Sequence, residues 1–270
     1  MPIEAMIDKE PVTVVCSKMG WIRAMKGHAA LDQEFKFKDG DGPSFAFHAE
    51  TTDKLLMFGT NGRFYTLKTS ELPGGRGMGE PVRLMVDLPN EADIVSLAVH
   101  DPAAKMVVAS SAGDGFLVAE ADVIAQTRSG KQSLNVKDGV TAKICTPASG
   151  DHVAVVSENG KFLVFPMAEL PEMARGKGVR IQKYKQASGK QGRLEIDGGL
   201  SDLVTFRFED GLSWPMGGGR TRHEPDLSEW LGKRAGVGVR PTGSRARTGS
   251  ARHSPVRRGQ PTLEILATNE

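Results

Sequence analysis

Two short stretches of the chain combine the residue types that grip phosphate, Gly74-Gly75-Arg76-Gly77-Met78-Gly79 and Arg175-Gly176-Lys177-Gly178. Glycine lets a backbone approach a phosphate closely, and Arg or Lys neutralises it. A weaker version, Arg128-Ser129-Gly130-Lys131, lies between them. Arg76, Arg175, Lys177 and Arg180 are the leading candidates for anion contacts. Lys18, Arg23, Lys26, Arg63, Arg128, Lys131, Lys161 and Lys183 follow, each of which reads equally well as an ordinary solvated surface residue. Loops of this kind are often plain solvated connections. What raises them above that is recurrence: equivalent basic loops in a repeated structure line one rim, which makes a track for a bent polyanion.

Other chemistry finds little support. Gly130-Lys131 and Gly189-Lys190 are each followed by Gln and lack the upstream glycine of a P-loop. No HExxH, GxSxG or calcium-loop spacing occurs, and the six histidines are scattered, so His48 and His152 read as structural. Cys16 and Cys145 are the only cysteines, without CxxC spacing, which argues against a disulfide framework or a zinc site. Each is expected inside a strand as a small apolar residue. No catalytic residue, metal or cofactor is expected. No apolar run approaches the ~20 residues of a membrane span, and the N-terminus has no signal-peptide pattern, so a cytoplasmic location without membrane contact is expected. The net charge of +2 on 270 residues is nearly balanced. Any role with nucleic acid therefore has to come from local clustering of charge.

The elements that would carry these loops form a repeat. Apolar strands end in x-Gly turns at Met19-Gly20, Asn61-Gly62, Asp114-Gly115, Asn159-Gly160 and Asp210-Gly211, spaced 42, 53, 45 and 51 residues apart. Asn-Gly and Asp-Gly supply the positive φ angles of two-residue hairpin turns. From the turn Asn to a Leu-Pro stop is 11 residues in two copies, 61 to 72 and 159 to 170, with the basic loop just beyond. A period of about 45–50 residues is that of four-stranded propeller-like blades. The 32 glycines and 15 prolines suit an all-β chain rich in turns. Further strands are expected at 45–48, 94–99 and 179–184, and short helical turns at 70–72, 120–125 and 167–170. A last helical turn at 226–231 is expected to dock by Trp230 and Leu231. From Lys233 to Arg258 the basic residues occur with no intervening acidic ones amid Gly, Ser, Thr and Pro, so 235–270 is read as a flexible basic tail.

No Trp is followed by Asp, so the WD-repeat signature is missing. Instead, Glu10-Pro11-Val12-Thr13-Val14-Val15-Cys16-Ser17-Lys18-Met19-Gly20-Trp21-Ile22-Arg23-Ala24-Met25-Lys26-Gly27-His28 resembles the start of a known domain family. The likeness continues through Arg76-Gly77-Met78-Gly79-Glu80-Pro81, Gly113-Asp114-Gly115-Phe116, and Leu170-Pro171 with Arg175-Gly176-Lys177-Gly178. The family is the gyrase A/ParC C-terminal β-pinwheel, in the ParC branch that belongs to topoisomerase IV. The resemblance covers roughly residues 8–234. It implies a five-bladed β-pinwheel, a propeller-like ring of four-stranded blades that exchange strands, followed by the tail.

The resemblance also implies non-specific binding and bending of duplex DNA on a basic rim, positioning segments for ATP-dependent strand passage, decatenation and relaxation. The implied partners are the rest of the ParC polypeptide and the ATPase subunit (ParE-like) of an A2B2 enzyme on the nucleoid. The cleavage tyrosine, metal and ATPase sites of such an enzyme lie outside these residues, and Tyr65 and Tyr184 read as packing residues. The chain departs from gyrase in holding only shortened Arg-Gly-x-Gly forms of the Gln-Arg-Arg-Gly-Gly-x-Gly box, which favours weak bending over chiral wrapping. A rival reading is a protein-interaction propeller that docks a chromosome-organising partner.

Overall fold

The computed structural model describes residues 6–241 apart from 138, 185, 190, 191, 196, 197 and 216–219. Most of the expected tail, 242–270, lies outside the described residues. Among the described residues there is no α-helix, and the strands come in hairpins. β1 (Pro11–Ser17) and β2 (Trp21–Lys26) form the first and are followed by β3 (Pro43–Glu50). β4 (Lys54–Gly59) and β5 (Arg63–Lys68) form the second, followed by the two-residue β6 (Glu80–Pro81) and by β7 (Ile94–Val99). β8 (Lys105–Ser110) and β9 (Asp114–Ala119) are followed by β10 (Lys131–Gln132) and β11 (Ala142–Pro147). β12 (His152–Ser157) and β13 (Phe162–Pro166) lead to β14 (Val179–Arg180), a separate hairpin of β15 (Gln186–Gly189) and β16 (Gly192–Glu195), and β17 (Leu200–Phe206). The last hairpin is β18 (Leu212–Pro215) with β19 (Thr221–Glu224).

The chain divides into two compact units, one of residues up to Pro102 with Glu120–Ser133, the other of Ala103–Ala119 with the residues from Leu134 onward. The first unit holds the four-stranded antiparallel sheets β3-β1-β2-β6 and β10-β5-β4-β7. The second holds β11-β8-β9-β14 and the three-stranded β13-β12-β17. One rule builds each four-stranded sheet. A hairpin forms the centre, the next long strand pairs with the hairpin's first strand, and a two-residue strand from beyond the following hairpin pairs with its second. The expected all-β blades with exchanged strands are therefore present as sheets, and the fourth sheet follows the same rule with a single residue: Val239 bridges Phe162 on β13.

The hairpin strands are apolar on both faces because both are covered. In the first unit Val14, Cys16, Ile22, Leu55, Met57, Tyr65 and Leu97 share one core. In the second, Val107, Val153, Phe165 and Leu203 form one core, and Phe162, Trp214, Leu227 and Trp230 another. Each such large side chain, removed from water, contributes about 1.5–3 kcal/mol.

Several expectations are corrected. The loops of the four hairpins β1–β2, β4–β5, β8–β9 and β12–β13 have three or four residues and not two, and only their glycines take positive φ: Gly20 (80°), Gly62 (75°), Gly113 (79°) and Gly160 (80°). This is a turn closed by a left-handed residue, which needs one glycine where a type I′ two-residue turn needs two positive angles. Asp114-Gly115 is not a turn; it lies inside β9, one step past the true turn glycine. Asp210-Gly211 joins β17 to β18, and β17 pairs with β12 instead of opening a hairpin. The strand expected over 179–184 shrinks to Val179–Arg180. Short 3-10 turns do occur at Thr69–Glu71, Glu120–Asp122 and Met167–Glu169. At 226–231 there is a turn and no helix; Trp230 is buried, but Leu231 remains 46% exposed. Residues 235–241, given to the tail by composition, are tied in: Ala235 N donates to Ile181 O (2.8 Å), and Val239 exchanges two 2.9 Å bonds with Phe162.

Cys16 lies wholly buried in β1, and Cys145 is half-buried in β11. Burial, helped by the nearby Asp41 charge, pushes the Cys16 thiol up from 9.0 to about 12. The folded chain thus keeps a proton that the unfolded chain releases near pH 9. The stability this contributes is complete below that pH and is lost as pH rises from about 9 towards 12. We expect the urea midpoint to fall over that window, and alkylation at pH 8 to modify Cys145 well before Cys16; equal rates would contradict the burial.

Candidate nucleic-acid interface

The last glycine of each basic loop stands directly before a short exchanged strand, and its role is structural. Gly79 (φ 81°), Gly130 (70°) and Gly178 (81°) precede β6, β10 and β14. A Cβ there would lie 2.3 Å from Ile22 O, 2.6 Å from Phe64 O and 2.4 Å from Gly115 O. The exchanged strand can pair with the hairpin only because the residue before it has no side chain. The Leu-Pro stops serve the same docking. Pro73 O accepts from Ala24 N (2.8 Å) and Pro171 O from Leu117 N (2.9 Å), which lays the loop along the hairpin's second strand. Gly77 is different: nothing lies within 4 Å of its Cβ position, so the middle of that loop faces open space.

The structure sorts the candidate cations by what they already hold. Arg76 and Arg175 stand three residues before Gly79 and Gly178, in equivalent places, and both are exposed. Neither makes a side-chain hydrogen bond or ion pair with a described residue, and Lys18, Lys26, Lys131 and Lys183 are exposed in the same state. Lys177 Nζ sits 3.4 Å from Asp114 Oδ2, and Arg180 Nε 3.0 Å from Asp114 Oδ1. Arg180 Nη1 also donates to Ala112 O (2.5 Å). Arg128 is exposed but donates to Leu84 O (2.7 Å), with Asp87 3.6 Å away.

Arg63 donates to Ser129 O (2.8 Å), Gly130 O (3.1 Å) and Gln132 Oε1 (3.3 Å), and so clamps the loop before β10. Arg23 is buried at 5% exposure, gives Nη2 to Lys36 O (2.9 Å) and lies over the Phe37 ring; burial lowers its pKa. Arg23 is thus a buried strut and Arg63 a half-buried clamp, and both already hold backbone carbonyls. Lys161 is half-buried, with its backbone N–H on Ser157 Oγ (3.1 Å).

Tyr65 is wholly buried, its hydroxyl bonded to Asn61 Nδ2 (2.8 Å), as a packing residue should be. Tyr184 lies outside any strand and packs on the core of the second unit. His48 stacks on His28 with ring centroids 4.4 Å apart, and each Nε2 bonds a backbone carbonyl. Among the described residues no group of three or more His, Cys, Asp and Glu could hold a metal ion. Nor is any helix there long and apolar enough to cross a membrane.

One loop escaped the reading of the sequence. Gly238 (φ 81°) would place a Cβ 2.6 Å from Phe162 O, the same collision as at the other three glycines. Trp230 O accepts from Val164 N (2.9 Å), in the place of Pro73 and Pro171. This fourth loop carries Lys233, Arg234 and Arg240. Arg234 is spent on Glu169 O (3.1 Å) and Arg180 O (2.6 Å), whereas Lys233 and Arg240 are exposed. The signal was available, since Gly236-Val237-Gly238-Val239-Arg240 repeats Gly176-Lys177-Gly178-Val179-Arg180. The surrounding arginines concealed it by making the stretch read as tail.

Comparison with known proteins agrees with this geometry. The family model "DNA gyrase C-terminal domain, beta-propeller" matches residues 53–101, 104–144 and 151–187. The chain is 45% identical over 236 residues to the A subunit of DNA topoisomerase 4 from Caulobacter vibrioides, covering 87% of this chain and 30% of that protein. It is 44% identical over 239 residues to the same protein of Rickettsia bellii, covering 88% and 31%. The chain therefore spans about a third of the length of the curated relatives it matches. Among solved structures, that of the E. coli ParC C-terminal domain superposes with a TM-score of 0.72 at 26% identity, over 87% of this chain and 95% of that one.

Proposed function

The chain belongs to the gyrase A/ParC C-terminal domain family, on the topoisomerase IV side, and from that premise we propose that it binds duplex DNA through phosphate contacts. The observation that carries the proposal is the pair Arg76 and Arg175: equivalent loop positions, both exposed and neither engaged by a described residue. Lys18, Lys26, Lys131 and Lys183 are the added contacts. Arg23, Arg63 and Arg128 are not, because they support the loops. The binding domain runs from about residue 8 to Arg240, because Val239 completes the last exchanged pairing; the residues beyond form the basic tail. In the longer protein the domain would hold or bend a segment for ATP-dependent strand passage. It would work beside the cleavage region of the ParC polypeptide and a ParE-like ATPase subunit, on the nucleoid in the cytoplasm.

Contacts to phosphate carry no base information, so affinity should be nearly independent of sequence and strongly dependent on salt. With six phosphates neutralised, log K falls against log salt with a slope of roughly −5. Fluorescence anisotropy of a labelled 30-base-pair duplex between 50 and 200 mM salt measures this. A slope near zero, or a strong preference among unrelated sequences, would overturn the reading.

A further inference from the structure

Asp114 is the single acid in a set of four equivalent positions. Each hairpin's second strand presents, just after the turn glycine, a residue at the place where the exchanged strand docks. Trp21 there faces Pro81, Arg63 faces Gln132 and Asp114 faces Arg180. The Phe162–Val239 bridge puts Lys161 in the same place in the fourth sheet. The Asp114 carboxylate is only 4% exposed, while its partners Lys177 and Arg180 are 71% and 41% exposed. A buried carboxylate is costly to leave unpaired, so it holds its cations more tightly than a surface ion pair would.

We propose that Asp114 is a built-in competitor for the DNA backbone: it occupies Lys177 and Arg180 and leaves Arg175 as the main phosphate contact of the third loop. This rests on the DNA-binding reading above. The fourth loop is the internal comparison, with the same Gly-x-Gly-Val-Arg sequence but lysine where the third sheet has Asp114. The three cations of Arg175-Gly176-Lys177-Gly178-Val179-Arg180 are therefore unequal. Arg175 is free to meet phosphate, whereas the other two must first give up a carboxylate.

The test uses the full chain, a labelled 30-base-pair duplex and salt from 50 to 200 mM. Asp114→Asn keeps the shape and removes the charge. It should bind more tightly than wild type at 100 mM salt, with a slope steeper by about 1–2 units. Each released cation adds about three- to fourfold to the affinity lost across that salt range. Lys177→Ala and Arg175→Ala, made in the wild-type background, decide the matter if Asp114→Asn does not fold. Arg175→Ala should flatten the slope by about one unit, and Lys177→Ala by less than half of that. Unchanged or weaker binding by folded Asp114→Asn would overturn the proposal, as would equal losses from the two alanine variants. Wild-type binding without salt dependence would instead overturn the DNA reading itself.

Discussion

A chain carrying Arg76→Glu with Arg175→Glu should bind duplex DNA about 100-fold more weakly than wild type at 100 mM salt, with a slope against log salt flattened by about two units. The two arginines stand at equivalent points of two loops, exposed and bound to no described residue. Reversal removes an attractive contact and adds a repulsive one at each point without disturbing a buried bond. The melting temperature should accordingly stay within a few degrees of wild type, because exposed charges contribute little to stability. The anisotropy titration and a thermal melt together check the prediction. A double variant that binds like wild type would remove these loops from the interface, and one that unfolds would show that the arginines hold the sheets together.

The second large effect concerns folding. Gly79→Ala should destabilise the chain by about 3 kcal/mol. The left-handed backbone at φ 81° costs a side-chain-bearing residue about 1–2 kcal/mol, and the Cβ only 2.3 Å from Ile22 O forces a further shift of similar size. Gly77→Ala, two residues earlier in the same loop, should change stability by less than about 0.5 kcal/mol, since its Cβ position is clear to 4 Å. Urea titrations of the two variants measure the difference directly. Similar midpoints would mean that the exchanged strand β6 does not need that close approach.

These two glycines mark the boundary of what could be read without a structure. In sequence Gly77 and Gly79 look alike, two members of one Arg-Gly-Met-Gly loop suited to a phosphate. Their difference comes from the Ile22 carbonyl, which strand pairing brings from far along the chain, and no local pattern encodes that approach. The hairpin register shows the same limit. Asp114-Gly115 has the composition of a turn, yet Gly113 makes the turn and Gly115 sits under Val108 O at 2.2 Å from its Cβ position. The β18–β19 hairpin, the tie from Val239 to Phe162 and the clamp of Arg63 on the loop before β10 were likewise hidden, because each depends on partners distant in sequence.

By itself the sequence determined the class of the fold, the repeat and the family. Strand periodicity, turn glycines and the spacing from Asn61 to Leu72 and from Asn159 to Leu170 are local properties, and local sterics enforce them. It also determined which residues are cationic, since charge belongs to the residue type. Tertiary structure alone decided which cations are available. Arg23 and Arg63 are consumed by backbone carbonyls, Lys177 and Arg180 by Asp114, and Arg76 and Arg175 by nothing described. The reason is physical. A cation's freedom is fixed by the acceptors around it, and here those acceptors arrive through pairing between strands far apart in the chain.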